Sequence, residues 1–149
     1  MNAPDQSRAI ALNVHPELRP LAIVDISEDC RLELQLHQDL LYARVSGQDS
    51  GPNTLAYLQR VLEQCVKHEI RRLLIVEDME GALSREEIFE NSAEVAQAAR
   101  DLDLRVAFFD QRRDHHYNNL FGELVALEAG VQARVCDSPD EARQWLGIA

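Results

Sequence analysis

Two short apolar runs joined by one helical pattern restrict this chain more than any other feature. Leu73-Leu74-Ile75-Val76 and Val106-Ala107-Phe108-Phe109 are continuous, with no polar residue alternating through them. A strand reads this way when both of its faces are covered, as in the middle of a parallel sheet. Between the runs, Ile88, Phe89, Val95, Ala96, Ala99 and Leu102 recur at helical spacing. Buried strand, helix, buried strand is a crossover, and such connections are right-handed in nearly all cases. Residues 71–111 therefore predict an α/β domain with two neighbouring parallel strands.

The flanks extend that unit. Leu32, Leu34 and Leu36 alternate with Glu33, Gln35 and His37. After a turn at Gln38-Asp39, Leu41, Ala43 and Val45 keep the alternation as far as Gly47. This predicts an antiparallel hairpin with one covered face. Asn53 or Thr54 is placed to cap a helix whose inner stripe is Leu55, Leu58, Val61, Leu62 and Cys65. Leu120, Phe121, Leu124 and Leu127 mark a further helix, stopped by Gly130. Val131, Ala133 and Val135 alternate with Gln132, Arg134 and Cys136, which predicts an edge strand with one wet face. Ser138-Pro139 then opens a last helix with Ala142, Trp145 and Leu146 turned inward. The expected fold class is α/β: a mixed sheet with helices packed on it, in the order β-β-α-β-α-β-α-β-α. Residues 1–20, polar and broken by Pro4, Pro16 and Pro20, are expected to form a flexible tail, and 21–149 a single domain. Leu21-Ala22-Ile23-Val24 adds an edge strand or packs across the domain.

Composition removes several function classes. A net charge of −11 argues against nucleic acid, whose phosphates require clustered cations. No apolar run approaches the ~20 residues of a membrane helix, and residues 1–10 lack the pattern of a signal peptide, so no membrane insertion and a cytoplasmic location are expected. Cys30, Cys65 and Cys136 fit no disulfide framework, zinc spacing or redox pair, and Cys65 sits on an apolar helix face as a small core residue. The chain carries no glycine-rich phosphate loop, nucleophile elbow or metalloprotease motif. No cofactor, no resident metal and no catalytic residue are expected.

Candidate binding residues gather after the two apolar runs. Glu77-Asp78-Met79-Glu80-Gly81 reads as an acidic loop at the carboxyl end of a buried strand, where open α/β sheets place their ligands. Its carboxylates could hold a cation, but a solvated loop near a helix start explains them more simply. Ser84-Arg85-Glu86-Glu87 is a capping box, which accounts for both Ser84 and Glu87 and is preferred to a phosphorylation site. Asp110 closes the second run and leads into the most polar segment, QRRDHHYNN. Asp114-His115-His116 could supply metal ligands or a general base, yet a solvent-facing loop is the preferred reading. Arg112-Arg113 is a local basic spot suited to an anion or an acidic partner. The expected surface for a partner or ligand comprises Asp78, Glu80, Gly81, Ser84, Asp110, Arg112, Arg113, His115 and His116.

The run LLIVEDMEG invites comparison with the first strand of response-regulator receiver domains, but no lysine follows Lys67 and the hairpin and helix before Arg71 would be unexplained. The strand-helix order, together with the ending VCDSPDEARQWLGIA, instead resembles the STAS superfamily, the fold of bacterial anti-sigma-factor antagonists. Ala142, Trp145 and Leu146 match the Ala-x-x-Trp-Leu closing helix of a less characterised branch, and the likeness covers residues 31–149. Antagonists of that type carry an Asp-Ser-Ser-Gly or Asp-Thr-Ser-Gly phosphorylation motif where this chain has Ser84-Arg85-Glu86-Glu87. The resemblance implies a non-enzymatic module in bacterial signalling that binds a protein partner or a small ligand. Separately, the wet-faced strand at residues 131–136 leaves an unpaired edge, so a homodimer is expected unless the tail at residues 1–20 covers it. The alternative is a metal-dependent or acid/base enzyme using Asp78, Glu80, Asp110 and His115. His115 within hydrogen-bond reach of a carboxylate would favour the enzyme; these side chains standing in solvent around a shallow site would favour the module.

Overall fold

The computed structural model describes His15 and residues 17–148. The expected N-terminal tail lies mostly outside the described residues. One six-stranded mixed sheet runs in strict sequence order: β1 (Arg19–Ser27), β2 (Cys30–His37), β3 (Leu40–Gln48), β4 (Arg72–Glu80), β5 (Arg105–Asp110) and β6 (Gln132–Cys136). The first two pairings are antiparallel and the last three parallel. The α/β class is as expected, and residues 21–24 lie in edge strand β1, one of the two readings given for them; β1 opens at Arg19, two residues inside the segment expected as tail. The expected hairpin turn stands at Gln38, whose φ is 52°.

Helices α1 (Gly51–Lys67), α2 (Arg85–Asp101) and α3 (His116–Glu128) connect the parallel strands, and α4 (Pro139–Leu146) follows the last one. Each crossover steps the same way across the sheet, so crossovers of one hand put all three helices on one face. That face holds the larger core, with Leu32, Leu34, Val45, Leu73 and Ile75 under Tyr57, Val61 and Ala96. Among the described helices, only α4 lies on the opposite face, where Ala142 and Leu146 meet Leu40, Tyr42, Leu74 and Val76. Trp145 packs at the rim of this second core and donates its indole N–H to the carbonyl of Val106 at 2.9 Å.

Most local signals hold and some shift. Ser50, not Asn53 or Thr54, caps α1, accepting from the Asn53 amide at 3.2 Å, with Pro52 in the first turn. Buried Tyr57, absent from the expected stripe, shares the inner face of α1 with Val61 and Cys65. Leu40–Val45 is buried on both faces rather than one, because α4 and its flanks cover the side away from α1. The β5 run is less enclosed than its sequence suggests, only Ala107 being fully buried. In α2, Phe89 is 57% exposed and Asn91 faces inward, its side chain donating to the Gly51 carbonyl. The third helix is turned about its axis: Leu120, Leu124 and Leu127 point outward, and Ala126 and Ala129 pack on the core. On β6, the expected edge strand, Cys136 is buried beneath α4 while Gln132 and Arg134 are exposed.

Candidate functional site

The acidic stretch is strand, not loop. β4 runs on to Glu80, so successive side chains from Glu77 to Glu80 take opposite faces of the sheet. Pairing stops at Gly81, whose φ of 88° favours glycine and where a Cβ would lie 2.5 Å from Gln48 Nε2. Glu77 and Met79 face the three helices, and Asp78 faces the side of α4. Asp110 is the register partner of Glu77, so it shares the helix-covered face. Asp78 and Asp110 are thus divided by the sheet and cannot hold one cation together. Among the described residues, no group of three His, Cys, Asp or Glu side chains is arranged to hold a metal ion.

On the α4 side, Asp78 is an ion-pair residue. Arg112 donates through Nε to Asp78 Oδ1 at 3.1 Å and reaches Glu80 at 3.9 Å. Buried Arg44 lies 3.6 Å from Asp78 Oδ2 and donates to Gln111 at 3.0 Å. The basic spot at Arg112 is therefore neutralised by the acids that were expected to stand beside it. Arg113 and His116 are exposed. Ser84 and Glu87 form the expected capping box, with N···O distances of 3.1 and 3.0 Å.

The other face is different in kind. His115, expected in solvent, is only 6% exposed, because a short 3-10 turn (Arg113–His115) folds it back over β5. Its Nδ1 lies 3.0 Å from Asp110 Oδ2, and the Asp110 side chain is 3% exposed. Asn119 also donates to that oxygen and the Arg112 amide to the other, so the carboxylate accepts three times. With Asp110 so engaged as an acceptor, Nδ1 is the donating nitrogen. Nε2 has no hydrogen-bond partner among the described residues. The observation said to favour an enzyme is thus present.

Three further residues complete the site: Tyr57 and Asp49, which the sequence did not single out, and Glu77, which it offered only as one carboxylate of the acidic stretch. Glu77, 5% exposed, accepts from the hydroxyl of Tyr57, itself fully enclosed on α1. Burial pushes the Glu77 carboxyl up to about 8; the Tyr57 bond opposes this, and the charges of Asp49 and Asp110 add to it. Burial, joined by the charge of Glu77, raises the Tyr57 phenol as well. Asp49, in the loop after β3, accepts from the Thr54 hydroxyl at 2.8 Å and is also raised by burial. A signal for Glu77 existed: it follows Leu73 and Ile75 at strand spacing, so alternation alone puts it on the covered face.

These polar groups close one end of a cavity of about 210 Å³ between the sheet and helices α1, α2 and α3. Leu73, Ile75, Val95, Ala96, Val106 and Phe108 form much of its wall. Asp49, Thr54, Tyr57, Glu77 and His115 line it where the parallel strands end, the usual ligand position in such sheets. A nucleophilic cysteine is not among the lining residues, and burial pushes the Cys65 thiol up to about 12, away from reactivity. No protein-family model matches the chain, and no curated protein matches it in sequence. No helix of the described residues is long and apolar enough to cross a membrane.

Proposed function

We propose that this chain is a STAS-like, non-enzymatic binding module of the cytoplasm that takes up a small, mostly apolar molecule in the cavity beneath α1, α2 and α3. The family likeness is supported by the strand-helix order after Arg31 and by the closing helix with Ala142, Trp145 and Leu146. The small-ligand half of the reading is carried by one observation, an apolar cavity of about 210 Å³ with a polar end. Cavities of about 150 Å³ admit a benzene-sized molecule, so this one suits on the order of ten non-hydrogen atoms. A protein partner or a second copy would rest on the outer face of α3, where Tyr117, Leu120, Leu124 and Leu127 are exposed. The decisive experiment pairs native mass spectrometry of the protein purified from cells with melting in the presence of small aromatic compounds. Saturable protection that disappears in Ala96→Phe, which fills the cavity, supports the reading; identical melting with and without every compound removes it.

A second reading, acid/base catalysis, is favoured by the Asp110–His115 pair. A base oriented by a buried carboxylate, with its other nitrogen turned to a cavity, has the geometry that proton abstraction needs. Conversion of the bound molecule that is lost in His115→Gln, with binding retained, would establish this reading over the first.

A further inference from the structure

We infer that this chain forms a two-fold dimer in which the outer stripes of its α3 helices lie antiparallel against each other. The inference rests on the preceding reading of the α3 face, names one partner for it, and stands apart from the cavity. Seven large apolar side chains are exposed among the described residues, and four of them, Tyr117, Leu120, Leu124 and Leu127, stand on α3. They follow one another at intervals of three, four and three residues, the narrow seam by which one helix packs on another. A fifth, Phe89, stands on α2, one turn after Arg85. No charged side chain interrupts the seam, although the chain as a whole carries a net charge of −11. Two copies so acidic repel each other, and contact is least costly through a stripe without charge. An exposed apolar patch of this kind, on the order of several hundred Å², marks an interaction site on a protein surface.

Charge on the flanks selects a second copy and sets its direction. At the amino end of the stripe Arg85 lies over the Phe121 ring, its guanidinium carbon 5.4 Å from the centroid. Glu128 stands on the same flank at the carboxyl end, one heptad after Phe121. Both are exposed, and neither has an ion pair among the described residues. A two-fold axis across antiparallel helices keeps like flanks together and reverses their ends, so each Arg85 meets Glu128 of the second copy. Tyr117 then faces Leu127 and Leu120 faces Leu124, apolar against apolar along the seam. The same direction sets the positive end of each helix beside the negative end of the other. A parallel pair would instead bring Glu123 of one copy beside Glu128 of the other, acid against acid. The stripe thus carries both the cation and the anion that its own copy needs.

Sedimentation equilibrium of the full chain tests this. A dimer is expected, and Leu124→Glu, at a position half exposed in one copy, should weaken it about a hundredfold. Arg85→Glu and Glu128→Arg should each weaken the dimer several-fold, and the two together should recover it. Both reversals suit the charge of their own helix ends, so the fold should hold. Oxidation of an equal mixture of Tyr117→Cys and Leu127→Cys should join one variant to the other; the native Cys30, Cys65 and Cys136 are buried and should not compete. Tyr117→Cys joined chiefly to itself, or a double reversal that fails to recover, would overturn the antiparallel arrangement. A monomer up to about 100 μM would overturn the dimer. A dimer untouched by Leu124→Glu and by both single reversals would place the contact elsewhere, as at the open edge of β6, and overturn the inference. Each of these results leaves ligand protection by the cavity to be read independently.

Discussion

Glu77→Gln should make the protein more stable, and increasingly so as pH rises. The substitution keeps the side chain's shape and its contact with Tyr57 but removes the titration. In the wild type, the folded chain holds the Glu77 proton up to about pH 8, against 4.5 for the free group. Between those values the folded state binds more protons than the unfolded one, so stability falls with rising pH. The favourable contribution is complete below 4.5 and is lost as pH passes through 8. Each pH unit is worth a little over about 1 kcal/mol, or roughly 4 kcal/mol from pH 5 to pH 8. Asp49, raised in the same direction, adds to the wild-type slope but remains in the variant and cancels in the comparison. Urea unfolding followed by Trp145 fluorescence at pH 5, 6, 7 and 8 measures the difference. A variant whose advantage stays constant across that range would refute the claim that the Glu77 carboxyl is buried and protonated.

Three other outcomes follow from the packing. Val76→Asp should cost several kcal/mol, because an unpaired carboxylate would enter the core beneath α4; unchanged melting would remove β4 from the centre of the sheet. Ser84→Ala should cost about 1 kcal/mol and Ser84→Asp much less, since aspartate also accepts at an N-cap; loss of a partner in Ser84→Asp alone would instead mark a regulatory site. Sedimentation should show a dimer that Leu124→Glu dissociates, whereas a monomer at all concentrations would leave the outer face of α3 without a second copy.

The sheet was legible where apolar runs were long and the polarity of each face was simple. The runs at 73–76 and 106–109 do lie side by side in parallel, and β6 does form an edge. The errors share a cause: local pattern does not say what covers a second face. Charged residues after Val76 read as a loop because acids rarely continue a buried strand, yet pairing with Gly47 and Gln48 carries β4 on to Glu80. Leu120, Leu124 and Leu127 read as an inner stripe because they are the larger apolar residues, whereas the gap beside β6 accepts the smaller Ala126 and Ala129. His115 and His116 are indistinguishable in sequence; the 3-10 turn buries the first and exposes the second.

One adjacent pair shows how the fold separates structure from chemistry. Glu77 and Asp78 differ by one methylene and one position, and strand alternation sends them to opposite faces. Asp78 meets Arg44 and Arg112 and is balanced by two cations at the rim of the sheet. Glu77 meets a tyrosine, two further acids and an apolar cavity, with no lysine or arginine paired to it among the described residues. A protein selected for stability alone would gain by replacing such a group with an apolar one of similar volume. Retaining Glu77 beside an oriented His115 makes sense if both serve a ligand in the cavity. Glu77→Met therefore separates the roles: it should raise the melting temperature of the free protein and, in the same sample, weaken the protection given by a small aromatic compound that occupies the cavity. A variant destabilised even without ligand would show that Glu77 is structural, held for its bond to Tyr57, and that the acidic end of the cavity has no recognition role.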